Sequence, residues 1–349
     1  MRRPLVLALS VSMLSICALG GPGVATGQGG PSSFGSDDPL VMALYYPWYD
    51  VSTWESGVTA DYPLLPYESW ERDAIERHVG WAREAGIDAL VSAWFGPRGG
   101  NPTEKNFKTL LDAAQPKGLK TAVLVETDSD QYFPNRGALV EGLRHALSAH
   151  AAHPAYLKVD GRPVIFVWRP SAAFATSGAR VNQAGAATVA AWRSILDEVD
   201  PNRQAIWIGE GEDASILGVF DGIFPYSIAW AGDPAGQLSS YAGRVRAFNS
   251  ANGTSKRWIA TAMPGYDDTR APGRGKTFAV DRAGGAYYQR TFQGAIATRP
   301  DWVMVASFNE WVEGHQIEPS RSYGSQFLEL TRSLGDAFRQ SAADPSNGG

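Results

Sequence analysis

In the middle of the chain stands the stretch Pro163-Val164-Ile165-Phe166-Val167-Trp168, an almost unbroken apolar run. A strand covered on one face alternates apolar and polar residues, whereas a strand of a parallel sheet is covered on both faces and loses this alternation. The stretch therefore favours a parallel sheet. Seven further segments complete a set of eight predicted strands: Val41–Tyr49, Asp88–Phe95, Lys120–Glu126, Ala205–Gly209, Gly218–Tyr226, Arg257–Met263 and Trp302–Phe308.

Helical patterns stand between these strands. The segment after strand two starts with a candidate N-cap, Asn101, followed three residues later by Glu104, and Gly118 closes it. The connection between strands five and six, residues 213–217, leaves room for barely one turn. The other predicted helices are Trp70–Glu84, Arg136–His150, Ala184–Glu198, Leu238–Asn249, Tyr287–Ala297 and Gln326–Arg339.

Eight strands alternating with helices predict a single α/β domain, a (β/α)₈ TIM barrel over residues 39–342. A doubly wound sheet is the competing architecture, and it would place a glycine-rich phosphate loop after strand one. Tyr46-Pro47-Trp48-Tyr49 stands there instead.

The composition bounds the class of protein. The chain has 349 residues, 44% of them hydrophobic and 19% charged, which suits one large core. The net charge is -5 and the Lys and Arg residues form no cluster, so a nucleic-acid partner gains no support. A neutral ligand fits this balance better.

The N-terminus has the layout of a secretory signal peptide, with Arg2 and Arg3 before an apolar run from Leu5 to Leu19. We expect residues 1–25 to be removed and the protein to be secreted or exported, without a membrane span after cleavage. Cys17 follows Ile16 rather than the small residue of a lipoprotein site, so no lipid anchor is expected. Residues 26–38 and 343–349 are predicted to be a disordered linker and tail.

The carboxyl ends of barrel strands carry the active site in proteins of this fold. In this chain those ends are rich in aromatic rings and carboxylates, which suits a sugar: flat rings pack on its C–H faces and carboxylates accept from its hydroxyls. The strand-end residues selected as candidate substrate contacts are Tyr46, Trp48, Trp94, Glu126, Tyr226, Asn309 and Trp311.

The most specific signal follows strand eight and reads Ser307-Phe308-Asn309-Glu310-Trp311-Val312-Glu313-Gly314-His315. Glycoside cleavage needs a protonated carboxyl and an ionised carboxylate. A helical turn would bring Glu310 and Glu313 onto one face, roughly 5 to 6 Å apart at Cβ. That spacing suits a retaining reaction, whose carboxylates stand about 5 to 5.5 Å apart. From spacing alone, two solvated surface glutamates remain an equal alternative.

These residues resemble the catalytic stretch of glycoside hydrolase family 99, the endo-α-mannosidase and endo-α-mannanase family. The likeness is collinear along most of the domain. It includes the segments Tyr45–Tyr49, Val91–Gly96, His153–Tyr156, Asp160–Ile165, Phe220–Tyr226 and Pro264–Arg270.

The resemblance implies a (β/α)₈ barrel without metal or cofactor that cleaves α-mannosidic linkages of a mannan or N-glycan with retention. It assigns to Glu310 the role of base on the sugar's 2-hydroxyl, giving a 1,2-anhydro sugar, and to Glu313 that of general acid and then base. Tyr46, Trp94, Glu126 and Tyr226 would line the cleft. The family usually has His where Val312 stands and a small residue where His315 stands.

Other chemistries find less support. His145 and His150 stand five apart on a predicted helix, off one face, and no His pair of metal-site spacing ends a strand. No G-x-S-x-G elbow and no glycine-rich nucleotide loop are present. A hydrolase of another α-linked glycan, a noncatalytic glycan-binding barrel and a glycosyl-transferring relative stay open as alternatives. The protein is expected to act as a monomer.

Overall fold

The computed structural model of the protein describes residues 33–181 and 185–344. Within these residues, the central sheet contains eight parallel strands: β1 (Leu40–Tyr45), β2 (Ala89–Trp94), β3 (Lys120–Glu126), β4 (Arg162–Trp168), β5 (Ile206–Glu210), β6 (Gly222–Phe224), β7 (Arg257–Ala262) and β8 (Trp302–Val305). Each strand pairs with the next along the chain, and β8 pairs with β1, so the sheet closes. The predicted (β/α)₈ barrel is confirmed.

Helices surround this barrel. The connection between β5 and β6 is a 3₁₀ helix, Ala214–Gly218, as short as the sequence predicts. The α-helices of the described residues are α1 (Val51–Glu55), α2 (Arg72–Glu84), α3 (Thr103–Ala114), α4 (Arg136–His145), α5 (Ala186–Val199), α6 (Pro234–Asn252), α7 (Ala286–Ala297) and α8 (Gln326–Ala343).

Some element ends differ from the sequence prediction. Strand β1 ends at Tyr45 and not at Tyr49, because the N–H of Tyr46 donates to the side chain of Asn309 (2.7 Å) and the following proline has no N–H. The helix predicted over 136–150 divides into α4 and a π turn, Ala146–His150. This π turn matters because it changes which side chains share a face.

The first turn of α3 tests the N-cap predicted at Asn101. The Asn101 side chain accepts from the N–H groups of Thr103 (3.0 Å) and Glu104 (3.4 Å), but the helix begins at Thr103 and the N-cap position is Pro102, one residue later than predicted. Glu104 does not return to the cap as a capping box would. It faces His145 and His150 instead.

Three aspartates tie neighbouring strands together at the amino ends of the barrel. Asp88 accepts from the N–H of Val41 (2.8 Å), Asp221 from that of Trp207 (3.0 Å) and Asp301 from that of Trp258 (2.8 Å). Each carboxylate thus satisfies a strand N–H that would otherwise lack a partner. This end of a barrel contributes stability, and the opposite end carries the chemistry.

The described chain starts before the predicted domain boundary at Pro39. The N–H of Phe34 donates to the carbonyl of Lys158 (3.0 Å), so part of the segment predicted as linker pairs with the domain. The predicted signal peptide, residues 1–25, and residues 345–349 of the predicted tail lie outside the described residues. Among the helices that are described, none combines the length and apolar character needed to cross a bilayer.

Candidate active site

The segment after β8 folds back on itself and is held at both ends. The Ser307 N–H donates to the carbonyl of His315 (2.8 Å), and the Ile317 N–H donates to the carbonyl of Ser307 (2.9 Å). The Ser307 hydroxyl accepts from the N–H of Glu310 (2.7 Å). A turn over residues 311–314 then separates Glu310 from Glu313, and their carboxyl groups interact electrostatically. The two glutamates predicted from the sequence are therefore brought together.

Glu310 lies inside the protein with 6% of its surface exposed. Its carboxyl accepts from the hydroxyl of Tyr49 (2.9 Å) and from the N–H of Val312 (3.2 Å). Burial, together with the negative charge of Glu313, raises the pKa of Glu310 to about 8. At neutral pH this carboxyl carries a proton.

Glu313 has a more polar environment. One carboxylate oxygen accepts from the hydroxyl of Tyr226 (2.6 Å) and lies 3.0 Å from Nε2 of His315, and the other contacts the guanidinium of Arg274. Burial opposes ionisation, but the hydrogen bond and charge of His315, with Tyr226 and Arg274, outweigh it and lower the pKa of Glu313 to about 2. Glu313 is therefore ionised at neutral pH.

Gly314 fixes the position of Glu313 in this loop. Its φ is +62°, and a Cβ built there would lie 2.8 Å from the carbonyl oxygen of Asp267. The N–H of Asp267 in turn donates to the carbonyl of Glu313 (2.8 Å). Only glycine combines this backbone conformation with so close an approach.

Asn309 and Trp311 flank Glu310 and have no exposed surface. Asn309 holds both backbone groups of Tyr46, accepting from its N–H (2.7 Å) and donating to its carbonyl (3.0 Å). The indole of Trp311 donates to Glu318 (3.0 Å). Both side chains point into the protein and position the loops around Glu310 instead of presenting a surface to a ligand.

Aromatic rings and one more carboxyl surround the pair. The rings of Tyr46 and Trp48 lie 4.9 Å apart, and Trp48 is partly exposed. Tyr226 packs edge-on against Trp168 at 4.7 Å. Burial, with the neighbouring carboxylates of Asp128 and Glu310, raises the pKa of Glu126 well above its ordinary value, which favours its protonated form.

Trp94 differs from the other predicted contacts. It has no exposed surface, and its indole N–H donates to Glu104 (2.9 Å), away from the paired glutamates. In this structure it does not present a face to a ligand.

Two residues at the site were not predicted with a role. Arg274 comes from the loop between two short antiparallel strands, Tyr266–Asp267 and Ala279–Val280, and bridges Glu313 and Asp268. Tyr49 donates to Glu310 and accepts from the N–H of Trp311 (3.0 Å). The length of the loop from 264 to 282 was the available signal for Arg274, and the aromatic strand end was the signal for Tyr49.

The sequence alone leaves open whether His315 supports the paired glutamates or lies at the surface. It is fully buried, and its ring stacks on Tyr266 at 5.8 Å. Nε2 faces Glu313, whereas Nδ1 has no hydrogen-bond partner among the described residues. The structure favours the supporting role.

A cluster of possible metal ligands lies apart from the paired glutamates among the described residues. Glu104, His145 and His150 have ligand atoms within 4.8 Å of one another. The sequence prediction that the two histidines lie off one face is wrong, because the π turn aligns residues five apart.

A (β/α)₈ barrel whose strand ends carry a buried neutral glutamic acid beside an ionised glutamate has the two groups that glycoside hydrolysis requires. The comparisons with known proteins agree with this class. The sequence profile of glycosyl hydrolase family 99 matches residues 37–332. The chain belongs to this family and is a glycoside hydrolase.

Individual relatives have low sequence identity to this chain, but they match it over most of its length. A glycoprotein endo-alpha-1,2-mannosidase-like protein of Mus musculus is 24% identical over 85% of this chain and 76% of its own length. A glycoprotein endo-alpha-1,2-mannosidase of the same species is 25% identical over 86% and 75%. The solved structure of a GH99 endo-alpha-mannosidase from Bacteriodes thetaiotaomicron has a TM-score of 0.72 and 22% identity over 87% of this chain and 98% of that one, which supports the fold.

Proposed function

We propose that the protein is a retaining, endo-acting hydrolase of α-mannosidic linkages in a mannan or an N-glycan. The arrangement of Glu310 and Glu313 at the carboxyl end of β8 is the observation that carries this proposal. The family and the names of its endo-α-mannosidase members support the choice of sugar and linkage. The partly exposed rings around the pair suit a pyranose.

In the proposed reaction, Glu310 removes the proton of the 2-hydroxyl, and that oxygen attacks the anomeric carbon. The bond from the anomeric carbon to the leaving oxygen breaks, and Glu313 gives that oxygen its proton. The product of this step is a 1,2-anhydro sugar. Glu313 then takes a proton from a water molecule that attacks the anomeric carbon, and Glu310 returns its proton to the 2-oxygen. Two displacements at one carbon give net retention.

The resting protonation states are the reverse of those needed, since Glu310 holds the proton and Glu313 is ionised. Arg274 is the group that an approaching substrate can displace, because its side chain is 36% exposed. Its departure from Glu313 would raise the pKa of Glu313 toward that of a general acid. A 2-hydroxyl aligned on Glu310 would favour the ionised form of Glu310, so that the two glutamates exchange their protonation states.

The substrate contacts proposed are Tyr46, Trp48, Glu126 and Tyr226. Tyr226 donates to Glu313 and so couples sugar binding to the acid. The signal-peptide pattern of residues 1–25 supports the further proposal that the enzyme works outside the cytoplasm, where polysaccharides and glycoproteins are available. We also propose that it works as a monomer.

The test is release of reducing oligosaccharides by the mature protein from a panel of α-mannans, high-mannose glycans and α-glucans. Wild type should release product from an α-mannoside, and Glu310→Gln and Glu313→Gln should release none. Glu329→Gln, an exposed glutamate of α8, is the matched control and should match wild type. Release from α-glucan alone would contradict the linkage, and ligand binding without release would indicate a glycan-binding barrel.

A further inference from the structure

Away from the paired glutamates, three potential metal ligands converge between α3 and the π turn that follows α4. One carboxylate oxygen of Glu104 lies 2.9 Å from Nε2 of His145, and the other lies 3.0 Å from Nε2 of His150. The two imidazole rings are 5.2 Å apart. Two imidazoles and one carboxylate form a common ligand set for Zn²⁺.

The backbone provides this convergence by an unusual means. In a regular α-helix, residues five apart point in directions about 140° apart, since each residue turns the helix by about 100°. Residues 146–150 form a π turn, in which the N–H of Ala151 donates to the carbonyl of Ala146 (3.2 Å). The wider turn puts His145 and His150 on one side. Such turns are rare and recur at functional sites.

The observed distances are close to those of a metal site. Zn²⁺ bonds of about 2.0 to 2.1 Å at tetrahedral angles separate two ligand atoms by about 3.3 Å. The Nε2–oxygen distances of 2.9 and 3.0 Å need to widen by only a few tenths of an ångström. The side chains of His145 and Glu104 are 29% and 13% exposed, which gives an ion a path from solvent and leaves a position for water.

Two groups already contact the carboxylate. The indole N–H of Trp94 donates to the oxygen near His150 (2.9 Å), as an outer hydrogen bond to a metal-binding carboxylate does. The ammonium of Lys108 lies 2.7 Å from the other oxygen and competes with a cation. Its side chain is 56% exposed, so it can move into solvent when an ion arrives.

We propose that Glu104, His145 and His150 bind one divalent metal ion of the Zn²⁺ type. The ion takes no part in glycoside cleavage. It joins α3 to the end of α4 and fixes Trp94, which shares Glu104 and stacks on His145 with rings 6.2 Å apart. An ion bound there would therefore stabilise the carboxyl end of β2.

The test is calorimetric titration of tag-free, chelator-treated full-length protein with Zn²⁺. One ion should bind per chain with a Kd of about 1 µM. His145→Ala and Glu104→Gln should weaken binding by at least about 10-fold. Lys108→Gln should strengthen it, because the competing ammonium is gone. His153→Ala is the matched control, a partly exposed histidine that pairs with Asp112, and should bind as wild type does.

The melting temperature gives a second measurement. Zn²⁺ should raise the melting temperature of wild type and Lys108→Gln and leave that of His145→Ala unchanged. Equal Zn²⁺ affinity in wild type and His145→Ala would overturn the proposal. So would a Kd of wild type above about 100 µM, in which case the three side chains form only a hydrogen-bonded cluster.

Discussion

Glu310 and Glu313 stand three residues apart on one loop, yet the protein treats them differently. Glu310 is buried and faces the negative charge of Glu313, and these two effects outweigh its hydrogen bonds from Tyr49 and Val312, so the neutral form is favoured. Around Glu313 lie the guanidinium of Arg274 and the imidazole of His315, so the anion is favoured. Sequence proximity therefore does not set the protonation state of a carboxyl group. The protonation state is set by the groups that the fold brings against the carboxyl.

The largest expected effect separates the roles of the two glutamates. Either glutamine variant should lower kcat/KM on a polysaccharide by about 10⁴-fold. On an α-mannosyl fluoride substrate, whose leaving group needs no proton, Glu313→Gln should release fluoride in the first turnover within about 10-fold of the wild-type rate. Glu310→Gln should release none. Single-turnover fluoride release measures this.

Equal loss of that first turnover in both variants would contradict the division between base and acid. Glu329→Gln serves again as the control for removal of a carboxylate.

The next effect is on stability. The pKa of Glu310 rises from about 4.5 when unfolded to about 8 when folded, so the folded state binds more protons between these values. Wild type should therefore lose stability relative to Glu310→Gln as pH rises from 5 to 8, by about 3.5 kcal/mol. Denaturant unfolding at several pH values measures this.

Glu313 should behave in the opposite sense. Its folded pKa is about 2, so its contribution to stability is present above about pH 4.5 and is lost as pH falls toward 2. Glu313→Gln should be less stable than wild type at pH 7, with the difference shrinking in acid. Parallel curves for the two variants would show that their environments are alike.

The third effect concerns Arg274. Its charge lowers the pKa of Glu310 and its hydrogen bond lowers that of Glu313, so Arg274→Gln should raise both pKa values. The limb of the kcat/KM profile that reports ionisation of Glu310 and the limb that reports protonation of Glu313 should each move to higher pH, by about one unit. Lys276→Gln removes an exposed cation of the same loop and should leave the profile in place. An unmoved profile in Arg274→Gln would mean that the guanidinium does not tune the pair.

The smallest effect is expected at His315, which acts on the reaction through Glu313. His315→Ala should lower kcat about 10-fold with little change in KM, because the acid loses a donor that orients it. His315→Gln, which restores an N–H donor, should recover most of this loss. Rates measured well below the melting temperature of each variant test this. A loss in His315→Ala that His315→Gln does not recover would indicate packing alone.

Much of this architecture could be predicted from the sequence. Apolar runs such as Val164–Trp168 identify parallel strands because burial on both faces removes alternation. Glu310 and Glu313 could be found because they lie at a strand end, three residues apart, and are followed by a glycine. Their order of ionisation could not, since it depends on the burial of Glu310 and on the contacts of Glu313 with Tyr226 and Arg274, which lie far away along the chain.

The remaining differences have local causes. Helical periodicity assumes a regular turn, so it separates His145 from His150, which a π turn brings together. The loop from 264 to 282 has no periodicity, and nothing in its sequence indicates that Arg274 reaches Glu313. Trp94 ends a strand as predicted, but its rotamer turns the indole toward Glu104.

The three aspartates at the amino ends of the barrel have a consequence for protein engineering. Asp88, Asp221 and Asp301 bond to N–H groups of neighbouring strands without involving any loop at the opposite end. A foreign loop grafted in place of residues 268–279 would leave these bonds untouched, and to preserve the active site it would keep an arginine on Glu313 where Arg274 lies. The barrel can thus serve as a scaffold whose strands keep their register while the loops that contact the glycan are exchanged.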